Sequence, residues 1–128
     1  MKARINMKDW RNLELTKWTT ATFRQYLSDK HVETYGIPYV ARNYAAEAGM
    51  LKRTIDEFGP EATKALIDCA FNEYKPTPIY PSLNYAFIYS YMKGRILPRV
   101  LAELARRKQA ETVDPAETGE VENESEWW

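Results

Sequence analysis

The sequence is poor in the residues that most enzyme chemistry needs. It holds one histidine and one cysteine, His31 and Cys69, far apart, so the clustered ligands of a metal site are missing. An internal disulfide is excluded, and Cys69, set among apolar residues at helical spacing, reads as a buried thiol rather than a nucleophile. The five glycines, at 36, 49, 59, 94 and 119, are scattered and build no phosphate-cradling loop. Ser82 and Ser90 lack the flanking glycines of a hydrolase elbow. Asp56 and Glu57 are adjacent, but neighbouring helical residues point about 100° apart and do not converge as an acid–base pair. These gaps argue against an enzyme and imply neither a metal nor a cofactor. No stretch approaches the ~20 apolar residues of a bilayer span, and the opening MKARINMKDW has no apolar run of the kind that directs secretion. A soluble protein of a reducing cytoplasm, without membrane association, is the expectation.

Charge is present but unevenly placed. All 18 Lys and Arg precede residue 109, whereas 7 of the 18 acidic residues lie beyond it, so residues 1–109 carry +7 and residues 110–128 carry −7. A zero net charge thus conceals a basic body and an acidic appendage, the pattern of a polyanion-binding domain with a charged tail. From Ala110 onward apolar residues nearly vanish, and such a segment cannot bury enough surface to offset its ordering entropy. Residues 1–109 are therefore read as one helical domain and 110–128 as a disordered acidic tail ending in Trp127 and Trp128.

Within the body the apolar spacing is helical. Residues 1–18 carry Trp10, Leu13, Leu15 and Trp18 without clean periodicity and read as an arm that packs its tryptophans on the body. Thr22 with Gln25 has capping-box spacing, which predicts a first helix from about Thr20 to Thr34, ended by Gly36 and Pro38. His31 lies beside its apolar face, where a structural histidine is expected ahead of a ligand or general base. Tyr44, Ala48, Leu51, Ile55 and Phe58 form the apolar stripe of a second helix over about residues 40–58. Gly59-Pro60 is a stop followed by a start, with glycine in a left-handed cap and proline opening a third helix to about Tyr74. The short connections predict a small antiparallel bundle of four to five helices, an all-α fold.

The densest stretch runs from Tyr80 to Lys108. Leu83, Tyr85, Phe87, Tyr89 and Tyr91 alternate as in a strand, while Leu83, Phe87, Ser90, Tyr91 and Gly94 share one helical face. Helix is favoured, because Pro81-Ser82 suits a helix start and no partner strand exists elsewhere; its apolar surround places it mid-bundle. Past this point Arg95, Arg99 and Arg106 fall within about 40° of one another on the helical wheel, opposite Leu97, Val100, Leu101 and Leu104. Pro98 either opens a new helix or kinks a continuous one, and only the continuous version keeps Arg95 in line.

Basic residues beside tyrosines suit nucleic acid, since cations neutralise phosphates and aromatic faces stack on unpaired bases. The candidate DNA-binding residues are Arg95, Arg99, Arg106, Arg107, Lys108, Lys93, Lys52 and Arg53, with Tyr85 and Tyr89 as stacking groups. Tyrosines at this density in a central helix also serve as core, which is the competing reading. A helix-turn-helix at Gly59-Pro60 ranks lower, because Glu61, Asp68 and Glu73 occupy the helix that would read bases.

The run MLKRTIDEFGPEATKALIDCAF followed by YPSLNYAFIYSYM resembles the helical module of DnaD-type primosome and phage replication proteins. There a helix ends in an acidic-aromatic-glycine turn, a second follows, and a third carries spaced aromatics. The resemblance covers Met50 to Phe71 and Tyr80 to Tyr91; the family's tryptophan-ending motif is absent, and Tyr85, Tyr89 and Tyr91 approximate it. It implies single-stranded DNA binding and a role in loading a replicative helicase. The segment EVENESEWW is similar to the acidic, hydrophobic-ended tails of bacterial single-stranded DNA-binding proteins, which dock partners, so Glu120, Glu122, Glu124, Glu126, Trp127 and Trp128 are expected to contact a host or phage protein. Two functions remain open: a phage-type accessory factor of DNA replication or recombination, or a non-enzymatic inhibitor or adaptor that binds a host enzyme, its acidic tail imitating nucleic acid.

Overall fold

The computed structural model describes residues 6–112, and within them every regular element is helical. Two short 3-10 turns, Trp10–Asn12 and Leu15–Lys17, lead into α1 (Thr20–Tyr35) and α2 (Tyr44–Glu73). A single turn, α3 (Tyr85–Phe87), passes directly into a π-helical turn (Ile88–Met92) and α4 (Lys93–Thr112). The described chain is thus three long helical runs rather than four to five separate helices. The expected boundary at residue 109 shifts, because α4 continues through Ala110 and Glu111; the remainder of the expected tail lies outside the described residues.

Local chemistry sets each boundary. The capping box of α1 is built one turn earlier than expected, on Thr19, whose N–H donates to Thr22 Oγ1 at 3.1 Å. Gly36 ends the helix in the left-handed conformation (φ 73°), and its N–H reaches Val32 O at 2.8 Å. Asn43 opens α2 by accepting from the Ala46 N–H at 3.0 Å, so Arg42 precedes the helix. At Gly59 the backbone takes φ 89°, ψ 165°, an extended positive-φ conformation that only glycine adopts readily, in place of the expected left-handed cap. The break divides α2 into two arms, with Pro60 opening the second and Thr63 Oγ1 donating to Gly59 O at 2.8 Å. Asn84, not Pro81-Ser82, starts the last run, its side chain accepting from the Phe87 N–H at 2.8 Å.

The core gathers Phe23 and Leu27 from α1, Leu51, Leu66, Ile67 and Phe71 from α2, and Tyr85, Ile88, Met92, Ile96, Leu97 and Val100 from the last run. The N-terminal arm seals one side. Trp10 Nε1 donates to Asp29 at 2.7 Å, Trp18 Nε1 donates to Leu13 O at 3.0 Å, and both rings pack edge-on or tilted against Tyr26. The second arm of α2 runs antiparallel to α4, since Glu73 meets Arg95 and Arg99 while Phe58 and Glu61 share a cleft with Leu101 and Lys108. His31 is buried between the rings of Tyr35 and Tyr39, its Nδ1 2.9 Å from Ile37 O, a structural position. Cys69 is half-buried beside the core rather than fully enclosed.

Two inferences about the last run are corrected. It is not apolar all round in the middle of the bundle: Phe87, Ser90, Tyr91, Gly94 and Arg95 face solvent, and the buried positions are Tyr85, Ile88, Met92, Ile96 and Leu97. The helical period was the right one, but the face it marked turns outward beyond Leu83. Within the expected apolar seam, Leu97 and Val100 are buried, Leu104 is half-buried and Leu101 lies at the rim. The helix continues through Pro98, which removes the bond to Gly94 O without ending the rod and keeps Arg95 and Arg99 on one element.

Candidate nucleic-acid interface

The basic residues of α4 are present on its surface but are not bare. Glu73, the last residue of α2, accepts from Arg95 Nη1 at 2.6 Å and from Arg99 Nη2 at 2.5 Å. The two guanidinium groups hold its carboxyl below the ordinary carboxylate range. Both arginine side chains are still more than half exposed, at 57 % and 62 %. One turn further on, Glu103 accepts from Arg106 and Arg107 together. Each pair of arginines therefore shares one carboxylate and retains net positive charge. Lys108 adjoins them beside the cleft at Phe58 and Leu104.

The other basic candidates are placed differently. Lys93 Nζ sits 4.0 Å from the centroid of the Tyr89 ring, a cation–π contact. Lys52 and Arg53 lie on the first arm of α2, a separate element, and Lys52 pairs with Asp56 at 3.2 Å.

The expected stacking tyrosines are corrected. Tyr85 is completely buried, and its hydroxyl lies 2.7 Å from Thr54 Oγ1. Thr54 already donates to Met50 O at 2.9 Å, so Tyr85 must be the donor between them. Burial raises its phenol to about 12, and the ring presents no face to a ligand. Tyr89 is half-buried against the core, with Lys93 over it.

The exposed aromatics are others. Phe87 and Tyr91, 40 % and 74 % exposed, lie one turn apart with ring centroids separated by 5.0 Å. Tyr74, at the end of α2, meets Phe87 edge-on at 5.7 Å. Its hydroxyl donates to Tyr80 O at 2.7 Å, and Tyr80 N–H donates to Thr77 Oγ1 at 2.9 Å, which fixes the loop that carries the exposed Tyr80 ring. These rings and Arg42 line a groove of about 280 Å³. Along the helix the stripe continues as Phe87, Tyr91, Arg95, Arg99, each four residues beyond the last, so an aromatic platform passes directly into a pair of fixed guanidinium groups. Phe87, Ser90, Tyr91 and Gly94 share one helical face in the sequence, and packing turns that face to solvent.

A second cluster secures the start of the last run. Tyr39 donates from its hydroxyl to the buried Glu47, and the Tyr85 N–H donates to the Tyr39 hydroxyl at 2.9 Å. Burial raises the Glu47 carboxyl above its ordinary value, opposed by Tyr39, by the backbone amides of Ala86 and Tyr85, and by Arg24. Among the described residues no group of His, Cys, Asp and Glu is arranged to hold a metal ion, and no helix is long and apolar enough to cross a membrane. No family model, curated protein or solved structure matches the chain.

Proposed function

We propose that the stripe from Phe87 to Arg99 binds single-stranded nucleic acid, with Phe87 and Tyr91 stacking on bases and Arg95, Arg99, Arg106 and Arg107 taking phosphates. The observation that carries this reading is the continuity of two exposed, mutually packed rings with two guanidinium groups already fixed in a fork by Glu73. Protruding ring faces need unpaired bases, so a single strand fits better than a duplex. In the cell such a protein serves as a small, phage-type accessory factor in DNA replication or recombination, with its acidic tail docking a helicase or another partner. The DnaD-type likeness of the sequence points the same way.

The sharing of Glu73 and Glu103 among four arginines favours a second reading, in which the ridge is an internally neutralised surface and the protein is an inhibitor acting through its tail. Replacing both Phe87 and Tyr91 by alanine separates the two. Stacking contributes ~1–3 kcal/mol per base, so single-strand affinity should fall at least tenfold while the salt dependence stays unchanged. Unaltered affinity would remove the stacking platform and leave the inhibitor reading.

A further inference from the structure

The groove beside the ridge has a polar character that its aromatic walls conceal. Four rings line it, and the polar side chains set among them are Arg42, Ser82, Asn84 and Ser90, with no carboxylate. Two fixed acceptors on its walls are already taken. Asn84 Oδ1 accepts from the Phe87 N–H at 2.8 Å as the cap of the last run, and Tyr80 O accepts from the Thr77 N–H at 3.0 Å and from the Tyr74 hydroxyl at 2.7 Å. A carbonyl oxygen has two lone pairs, so Tyr80 O is saturated. The cap also settles the Asn84 amide: with its oxygen held by the backbone, the NH2 group is the part left over, and no acceptor meets it among the described residues. Arg42 is exposed and forms no ion pair among them. The serine hydroxyls rotate to donate or accept and favour neither. The fixed side-chain chemistry left to the groove is therefore donor chemistry, an amide NH2 and a guanidinium.

Donors select acceptors. Thymine and uracil carry ring carbonyls at O2 and O4, whereas cytosine has an amino group in place of O4 and would set a donor against a donor. At 280 Å³ the groove falls just short of the ~300 Å³ at which ligand pockets usually begin, a size that suits one base. Tyr80 and Tyr91, 68 % and 74 % exposed, supply faces on which it can stack. We infer that the groove seats one nucleotide of the bound strand and selects thymine or uracil over cytosine, with the Asn84 NH2 donating to a ring carbonyl and Arg42 to that nucleotide's phosphate. The inference rests on the single-strand reading proposed above and adds base choice to it. Phe87 and Tyr91 line the groove and also begin the stripe that leads to Arg95 and Arg99, so the seat is continuous with the phosphate contacts. Stacking and phosphate pairing serve every base alike; Asn84 is the group that discriminates, because the wrong base leaves its NH2 covered and unpaired.

The test is fluorescence anisotropy of the full-length chain with labelled oligothymidylate and oligodeoxycytidylate of equal length. The thymidylate strand should bind roughly three- to tenfold more tightly, the worth of one hydrogen bond. Asn84→Asp keeps an oxygen for the Phe87 N–H and replaces the NH2 by a second acceptor, so the cap survives and the ratio should invert in favour of the cytosine amino group. The added charge weakens both strands alike and cancels in the ratio. Asn84→Ser, which also caps, should bring the two strands to parity. Equal affinities or a cytosine preference in the wild type, or a thymine preference that survives in either variant, would overturn the base seat and leave single-strand binding standing. Binding of neither strand would remove both the seat and the reading on which it rests.

Discussion

Replacing Glu73 by glutamine should strengthen nucleic-acid binding, an unusual outcome for the loss of two hydrogen-bonded ion pairs. The carboxylate occupies the forks of Arg95 and Arg99 at 2.6 and 2.5 Å, as a phosphate would. Glutamine keeps the side-chain shape and removes the charge, leaving both guanidinium groups on a helix whose position is set by the buried Ile96, Leu97 and Val100. Each phosphate neutralised on a single strand contributes ~0.7 to the slope of log affinity against log salt, so one or two newly available contacts should steepen it by about 0.7 to 1.4. The assay is fluorescence anisotropy of a labelled oligothymidylate between ~50 and ~200 mM salt, where that slope is read directly. Unchanged affinity and slope in the Glu73→Gln protein would place Arg95 and Arg99 outside the interface. The same substitution carries a stability signature of known sign. Since Glu73 titrates below its ordinary value, the clamp stabilises fully above the usual carboxylate range and is lost as pH falls through the lowered pKa, a loss the variant should not show.

The buried groups make further predictions. Glu47 is raised by burial, so the folded state holds its proton more tightly than the unfolded state, and its contribution to stability should fall as pH rises from the ordinary carboxylate range through the raised value. Urea midpoints across that range should be flatter with pH in Glu47→Gln; identical slopes would refute the assignment. Tyr85→Phe should cost about 1 kcal/mol, because Thr54 loses its donor within the core, and thermal unfolding should show it. A variant as stable as the wild type would mean that this hydrogen bond contributes nothing net.

The sequence carried the helical periods well and the directions of faces less well. The Gly59-Pro60 break, the Gly36 cap and the basic ridge of α4 were legible, because each depends on local backbone or wheel geometry. The orientation of the Tyr80–Met92 stretch was not, since both of its faces are apolar and only tertiary packing decides which turns inward. The π-helical turn at Ile88–Met92 lies in this stretch, where Tyr85 and Ile88 enter the core while Phe87 and Tyr91 face solvent. Glu73 was legible as an acid but not as a partner of Arg95 and Arg99, because the pairing joins residues 22 and 26 positions apart and depends on how α2 and α4 pack.

If the ridge and its aromatic platform form a nucleic-acid surface, removing the ridge must remove the salt dependence of binding. Full-length wild type and the Arg95→Gln, Arg99→Gln, Arg106→Gln triple variant are titrated with labelled oligothymidylate over a salt series. Each arginine pair shares one carboxylate, so about two net phosphate contacts at ~0.7 each predict a wild-type slope of about −1.4, largely lost in the variant. Failure of the wild type to bind at ~50 mM salt, or a slope that survives in the variant, would show that the ridge is not a nucleic-acid surface.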